Sequence, residues 1–370
     1  MKSVGIICEY NPFHNGHVYH IKKVKEMFPN YIIVLIMSGN FTQRGEVSLI
    51  DKWKKTDIAL NYVDLVVELP FVFASQSADI FARGACDILK LLNAEALVFG
   101  SESDDVASLE RFVKIQDSSE YNNLVKDYLG EGYNYPTCLS KALYDICGDT
   151  VKSSNDLLGL SYVKELIGSS VKYYSIKRTN DYLSKELGES ISSGTSIRNA
   201  LKNGKDVKKY VPKCSYEYLN NVHFTSDYFT LLKYKIISDD ISKYQTVDEG
   251  IENRLKKVIN DVNSLEDLIE KVKTKRYTYN KICRMLIHIL TGFTKEEASK
   301  LETSYIRILG FNKKGKAYLK SIKDKCPVPI IVNYEKDNKY LNIESRVSNI
   351  YNLIKKDDIL SEHQHKPIIH

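Results

Sequence analysis

Apolar runs in the first half of the chain alternate with stretches of helical periodicity. Ser3 to Cys8 (SVGIIC) is a short apolar run, and after the polar EYNPFHNG stretch Val18 to Met27 repeats apolar residues at helical spacing. Tyr31 to Met37 reads as a second buried strand, followed by a polar loop at Ser38 to Glu46 and a helical stretch through Trp53 and Leu60. Leu65 to Leu69 (LVVEL) gives a third strand and residues 78 to 92 another helix. Ala96 to Phe99 give a fourth strand, closed by Gly100 and Ser101. This alternation predicts an α/β fold, a parallel sheet wrapped by helices.

Past residue 103 the pattern is mostly helical until Lys172 to Lys177 (KYYSIK), a fifth strand, and Thr195 to Leu201, a further helix. One unit is therefore expected over residues 1–210. From Asp227 onward Lys-, Leu- and Ile-rich helical patterns dominate, including Leu265 to Lys273 and Tyr279 to Leu290, so residues 211–370 read as an appended, mainly α-helical domain. Within it, Pro327 to Val332 is a candidate strand, and the tail HQHKPIIH is expected to fray.

Length and composition narrow the class. A chain of 370 residues exceeds one compact core, and 43% hydrophobic with 27% charged residues excludes disordered, collagen-like and coiled-coil chains. The seven cysteines are scattered without a C-x-x-C pair, so neither a zinc cluster nor a disulfide framework is encoded, which suits a reducing cytoplasm. No apolar run approaches the roughly 18 residues that cross a bilayer, and no signal peptide is expected. The net charge of +6 is unevenly spread: residues 1–150 carry 14 Lys+Arg against 20 Asp+Glu, and the remainder 39 against 27. A polyanion would therefore lie on the second half.

The strongest local signal is EYNPFHNGHVYH, Glu9 to His20, between the first strand and the first helix. In an open α/β sheet this is the carboxyl end of a strand, where ligands collect. Gly16 lets backbone approach a ligand, and the helix start offers unpaired N–H groups. His14 and His17, three residues apart across the first turn, fall on one side, where they can donate to phosphate oxygens as charge develops. His20 stays open between stacking on a base and packing on the sheet.

The H-x-G-H segment resembles the signature of the nucleotidyltransferase superfamily of adenylate-forming enzymes, which share the HUP-type Rossmann-like fold. SSGTSIR at Ser192 to Arg198 resembles that superfamily's second signature, with Gly194 where a serine is common. Thr195 and Ser196 are then expected to cap a helix and bind phosphate, and Arg198 to supply fixed positive charge. More specifically, the chain is similar to the bacterial tRNA(Met) cytidine acetate ligase family. The matching blocks are GIICEYNPFHNGHVYH at 5–20, SGNFTQRGE at 38–46, DLVVELP at 64–70, QSADIFARGA at 76–85, FGSE at 99–102, SNDLLGLSYVKEL at 154–166, IKR at 176–178, KTKRYTYNKICRMLIHIL at 273–290 and YIRILGFNKKG at 305–315.

The resemblance implies a two-step ligase. Acetate and ATP give acetyl-adenylate and pyrophosphate, and the acetyl group then moves to N4 of the wobble cytidine, C34, of elongator tRNA(Met). It implies catalytic roles for His14, His17, Thr195 and Arg198. It places ATP on Ile7, Cys8, Glu9, Tyr10, Asn11, Pro12, Phe13, His14, Asn15, Gly16, His17, Val18, Tyr19, His20, Gly100, Asn155 and Arg178. Mg²⁺ is expected with ATP, and no obligate protein partner is evident. Read without the family, Gly100 is equally a strand-end turn and Asn155 equally a helix cap. Gln76 and Asp79 are candidate caps. The Ser38 to Glu46 loop, with Arg44, can face acetyl group, phosphates or tRNA. A basic stretch of Lys271, Lys273, Lys275, Arg276, Lys281 and Arg284, interleaved with Tyr277 and Tyr279, fits RNA phosphates and an unpaired base, with Arg307, Lys313, Lys314 and Lys316 extending it. The competing readings are a cofactor adenylyltransferase with a small phosphorylated acceptor and a non-catalytic nucleotide-sensing RNA-binding protein.

Overall fold

The computed structural model describes residues 1–178, 191–334, 341–354 and 361–370. Five strands, β1 (Ser3–Cys8), β2 (Ile32–Ser38), β3 (Leu65–Leu69), β4 (Ala96–Ser101) and β5 (Lys172–Lys177), run parallel in the order β5-β4-β1-β2-β3. The chain steps from β1 outward to β2 and β3, then returns to set β4 on the other flank of β1. That reversal opens a crevice at the carboxyl ends of β1 and β4. In β2, Ile32, Val34 and Ile36 join one apolar cluster while Ile33, Leu35 and Met37 join another. Period-two side chains that are apolar on both faces require a sheet covered on both sides. Helices Ala78–Leu91, Val106–Gln116 and Ser154–Leu166 cover one side, and helices Asn15–Met27, Lys52–Leu60 and Gly194–Lys202 cover the other.

The expected division at residue 210 does not match how the sheet is built. β6 (Ile306–Phe311) runs antiparallel beside β3, with Leu65 opposite Phe311, and β7 (Ile330–Ile331) and β8 (Ile368–Ile369) run parallel to β6. Helix Lys313–Ile322 then returns to the sheet, where Tyr318 donates to the Leu92 carbonyl and bonds Ser3 Oγ at 2.7 Å. The tail expected to fray supplies β8, and His370 reaches Asp57 at 3.0 Å. A separate helical core does exist. Helices Phe229–Ser238, Ile251–Val258, Leu265–Val272, Tyr279–Thr291 and Asn342–Tyr351 bury Leu232, Leu255, Leu268, Leu286 and Tyr351 together, joined by Phe41 and Phe71 from the α/β half.

β6 reads poorly as a strand because Arg307 interrupts its apolar run, and the expectation that Arg307 meets RNA is overturned by its complete burial. Its Nη1 donates to the Val332 carbonyl at 2.9 Å, and Nη2 lies 4.0 Å from the Glu362 carboxylate. Glu362 also pairs with Lys52 at 2.9 Å, and Lys52 with Glu68 at 2.7 Å, all fully buried. Buried ions cost several kcal/mol unless paired in this way. Lys313, Lys314 and Lys316 remain exposed.

Candidate active site

The segment after β1 turns through Tyr10, at φ 50°, and a cis peptide bond between Asn11 and Pro12. Tyr10 and Phe13 are buried beneath it, edge to face at 4.7 Å. His14 is the N-cap of helix Asn15–Met27, and its Nδ1 accepts the Gly16 N–H at 3.1 Å. His17 Nδ1 in turn accepts the His14 N–H at 3.2 Å, and the two rings stack at 3.8 Å. A neutral imidazole whose Nδ1 accepts a hydrogen bond carries its proton on Nε2. Burial, reinforced by Arg178 and Arg198, lowers the His14 pKa to about 3, and burial followed by His14 holds His17 well below the usual range. Both rings are therefore neutral at pH 7, each with an Nε2–H to donate at a helix N-terminus.

The cleft before them has a volume of about 180 Å³. β1 contributes Ile7, Cys8 and the adjoining Glu9; β4 contributes Phe99 and Gly100; β5 and the following residue contribute Ile176 and Arg178. These are the strand ends of the crevice. Gly100 lies under Arg178, since a Cβ there would meet Arg178 Cγ at 3.3 Å. Arg178 Nε sits 3.3 Å from Glu102 Oε1, which also accepts from Asn155 Nδ2 at 2.5 Å, while Glu102 Oε2 accepts from Ser153 Oγ at 2.6 Å. Ser153, not Asn155, caps its helix, which leaves the Asn155 side chain on the cleft wall. Glu102, two positions beyond Gly100 in FGSE, thus holds both Arg178 and Asn155, although the sequence reading did not single it out.

Within the first loop, Phe13, Asn15 and Val18 do not line the cleft, whereas Tyr19 and His20 do. Asn15 Nδ2 instead donates to the Lys209 carbonyl at 3.0 Å. Burial, then Arg178, lowers the His20 pKa to about 4, while its bond to Val98 opposes them. At the second signature, Ser193 rather than Thr195 or Ser196 caps helix Gly194–Lys202. Ser192, Ser193, Gly194 and Arg198 line the cleft, while Thr195 Oγ1 accepts from Arg198 Nη2 at 3.3 Å. Arg198 Nη1 donates to the Asn11 carbonyl at 2.7 Å, and Nη2 pairs with Glu46 at 2.9 Å, so this guanidinium clamps the first loop to the Ser38–Glu46 loop.

That second loop forms a wall of the cleft. Gln43 and Arg44 line it, and the Gln43 N–H donates to Glu9 Oε1 at 2.6 Å. Gln43 Nε2 reaches the Gln76 carbonyl at 3.0 Å; Ser77 rather than Gln76 or Asp79 is the N-cap of the neighbouring helix. Buried Lys55 pins the loop from below, donating to the carbonyls of Glu9, Ser38 and Gly39 at 3.0, 2.9 and 2.7 Å. Gly45 takes φ +77° against the backbone of Cys283 and Arg284, and Arg284 Nη1 approaches the Gln43 carbonyl at 3.5 Å. Thus Arg284 backs the cleft wall, whereas Lys273, Lys275 and Arg276 are exposed. Tyr277 is only 3% exposed, with the Lys281 ammonium 4.1 Å from its ring centre, so no base can stack on it; Tyr279 is 55% exposed.

An open, mainly parallel sheet with paired neutral imidazoles at the first helix N-terminus, at the strand-order reversal, defines a nucleotidyltransferase-type site. A family model described as HIGH Nucleotidyl Transferase matches residues 1–366. The chain is 39% identical to the tRNA(Met) cytidine acetate ligase of Anoxybacillus flavithermus, covering 98% of this chain and 97% of that one. It is 37% identical to the protein of the same name from Clostridium acetobutylicum, with complete coverage of both. The crystal structure of apo Thermotoga maritima TmcAL (form I) superposes with a TM-score of 0.93 at 31% identity, over 100% of this chain and 99% of that chain. The same protein bound with alpha-thio ATP superposes at 0.89, with the same identity and coverage. The chain belongs to the tRNA(Met) cytidine acetate ligase family.

Proposed function

We propose that the protein condenses acetate with ATP to acetyl-adenylate and transfers the acetyl group to N4 of cytidine 34 in elongator tRNA(Met), giving N4-acetylcytidine. The observation that carries the first step is the His14 and His17 pair, fixed by backbone N–H groups so that two neutral Nε2–H donors face the cleft. Acetate is already ionised at pH 7, so its attack on the α-phosphate needs alignment and charge neutralisation rather than a base. ATP lies across the strand-order reversal, its phosphates toward the two imidazoles and the Ser192–Gly194 turn and its nucleoside toward Gly100, Asn155 and Arg178. Ile7 to Pro12, Gly16, Tyr19 and His20 line the cleft around it. Arg198 acts through the Asn11 carbonyl, holding that loop in place.

Mg²⁺ bound on the phosphates would offset their charge; among the described residues no cluster of three His, Cys, Asp or Glu side chains is placed to hold a metal ion. The tRNA rests on the exposed cations Lys273, Lys275 and Arg276, with Lys281 beside them, and the exposed Tyr279 rather than the buried Tyr277 stacks on a base. No described helix is long and apolar enough to cross a membrane, and we place the protein with its tRNA in the cytoplasm.

The deciding assay incubates purified protein with tRNA(Met), ATP and labelled acetate and analyses nucleosides by mass spectrometry. Label at cytidine 34 that requires ATP is the expected result. ATP turnover with small phosphorylated acceptors, and no label in tRNA, would move the protein to the cofactor adenylyltransferases.

A further inference from the structure

Amide formation leaves one proton to be placed. When the N4 amine attacks the carbonyl carbon of acetyl-adenylate, a C–N bond forms and the C–O bond to AMP breaks, its electron pair leaving on the phosphate oxygen. One N4 proton then needs an acceptor. The paired imidazoles are poor candidates, because each Nδ1 already accepts a backbone N–H and each Nε2 carries the proton. His20 is bonded to the Val98 backbone, and its Nε2 is buried. Burial pushes the Cys8 thiol up to about 12 and holds Tyr10 and Tyr162 well above the usual range, so these stay protonated. Arginine and lysine on the cleft offer donors only.

Among the described cleft-lining residues, Glu9 is the one carboxylate. It follows the last residue of β1, partly exposed to the cleft, and the Gln43 N–H at 2.6 Å on Oε1 fixes its orientation. We propose that Glu9 is the general base of the transfer half-reaction, taking the N4 proton as acetyl-adenylate is consumed. The assignment rests on the ligase reading above. Burial raises the Glu9 pKa, the Gln43 N–H, Lys55 and Arg44 pull it down, and Glu46 opposes them. The net shift is upward, with burial its largest cause, which is the direction a general base needs.

The test separates the half-reactions in Glu9→Gln, whose amide oxygen can still accept the Gln43 N–H. Acetate-dependent ATP–pyrophosphate exchange reports adenylate formation; single-turnover transfer from enzyme-bound acetyl-adenylate to tRNA reports the second step. Transfer should fall on the order of 10²–10⁴-fold, at least about 30-fold more than exchange, as expected for loss of a general base. The wild-type transfer rate should rise with pH as Glu9 ionises and then level off; Glu9→Gln should lose that rise, and Glu9→Asp should keep it at reduced rate. Equal losses in both half-reactions, or a rise that survives in Glu9→Gln, would overturn the proposal and leave the departing AMP phosphate as acceptor. Wild-type protein that exchanges pyrophosphate but transfers nothing to tRNA would overturn the ligase reading itself, and the base with it.

Discussion

Gly45→Ala tests whether the cleft wall is built against the helical core. At φ +77°, an alanine pays about 1–2 kcal/mol for the left-handed backbone. Its Cβ would also lie 2.3 Å from Arg284 N and Cys283 C, against at least 3.4 Å for ordinary contact. These are backbone atoms of a helix and cannot rotate aside, so loop or helix must shift, adding about 1–3 kcal/mol of overpacking. The expected loss is therefore about 2–5 kcal/mol. Gly148 is the internal control: its φ is +71° and nothing lies within 4 Å of its added Cβ, so Gly148→Ala should cost only the backbone part. Urea unfolding of the two variants isolates the contact as the difference between them. Because the same loop presents the Gln43 N–H to Glu9 and Glu46 to Arg198, adenylate formation should fall in Gly45→Ala and hold in Gly148→Ala. Equal destabilisation of the two, with equal activity, would refute docking of this loop on the helix.

His14→Ala or His17→Ala should slow acetate-dependent pyrophosphate exchange about 10²–10³-fold, the effect of losing one donor to a developing oxyanion, while the fold survives by circular dichroism. The His14 pKa falls from about 6.5 unfolded to about 3 folded, so the unfolded chain binds more protons between those values; stability should be complete above about pH 6.5 and decline as pH falls toward 3, by up to about 1.4 kcal/mol per pH unit for each such histidine. Urea melts from pH 4 to 7 should show this decline, and it should flatten in the His14→Asn, His17→Asn double variant. Lys275→Glu with Arg276→Glu should weaken tRNA binding and lower the slope of log affinity against log salt by about 2, measured by filter binding; a change in ATP affinity alone would misplace the tRNA surface. Glu362→Ala leaves Lys52 and Arg307 short of a buried partner and should cost about 3–5 kcal/mol in thermal or urea unfolding; a loss no larger than that of a surface substitution would refute the pairing.

What the sequence made legible was whatever is decided locally. β1 to β5 announce themselves as apolar runs because each is covered on both faces, and the paired histidines follow from a strand, a glycine and a helix start within a dozen residues. What stayed hidden depends on partners far along the chain. Arg307 looks like a surface cation until Glu362, 55 residues later, neutralises it inside the core, and with it β6 passes for a basic segment. Tyr277 and Tyr279 are indistinguishable by composition, and only the turn into helix Tyr279–Thr291 decides which is buried. SSGTSIR offers several capping hydroxyls, and the backbone chose Ser193. Arg198 reads from sequence only as a phosphate ligand, since its loop partners, Asn11 and Glu46, lie more than 150 positions away.

The late arrival of β6 sets an order of events during synthesis. β3 presents Leu65–Leu69 as a bare edge until residues 306–311 have left the ribosome, so a nascent or truncated chain ending near residue 300 carries an apolar strand with nothing beside it. Helices between residues 229 and 299 are thereby threaded between two strands of one sheet and tethered at both ends. Their orientation toward the cleft is set by the sheet rather than by a hinge. A fragment cut at residue 210 to isolate the catalytic half should aggregate.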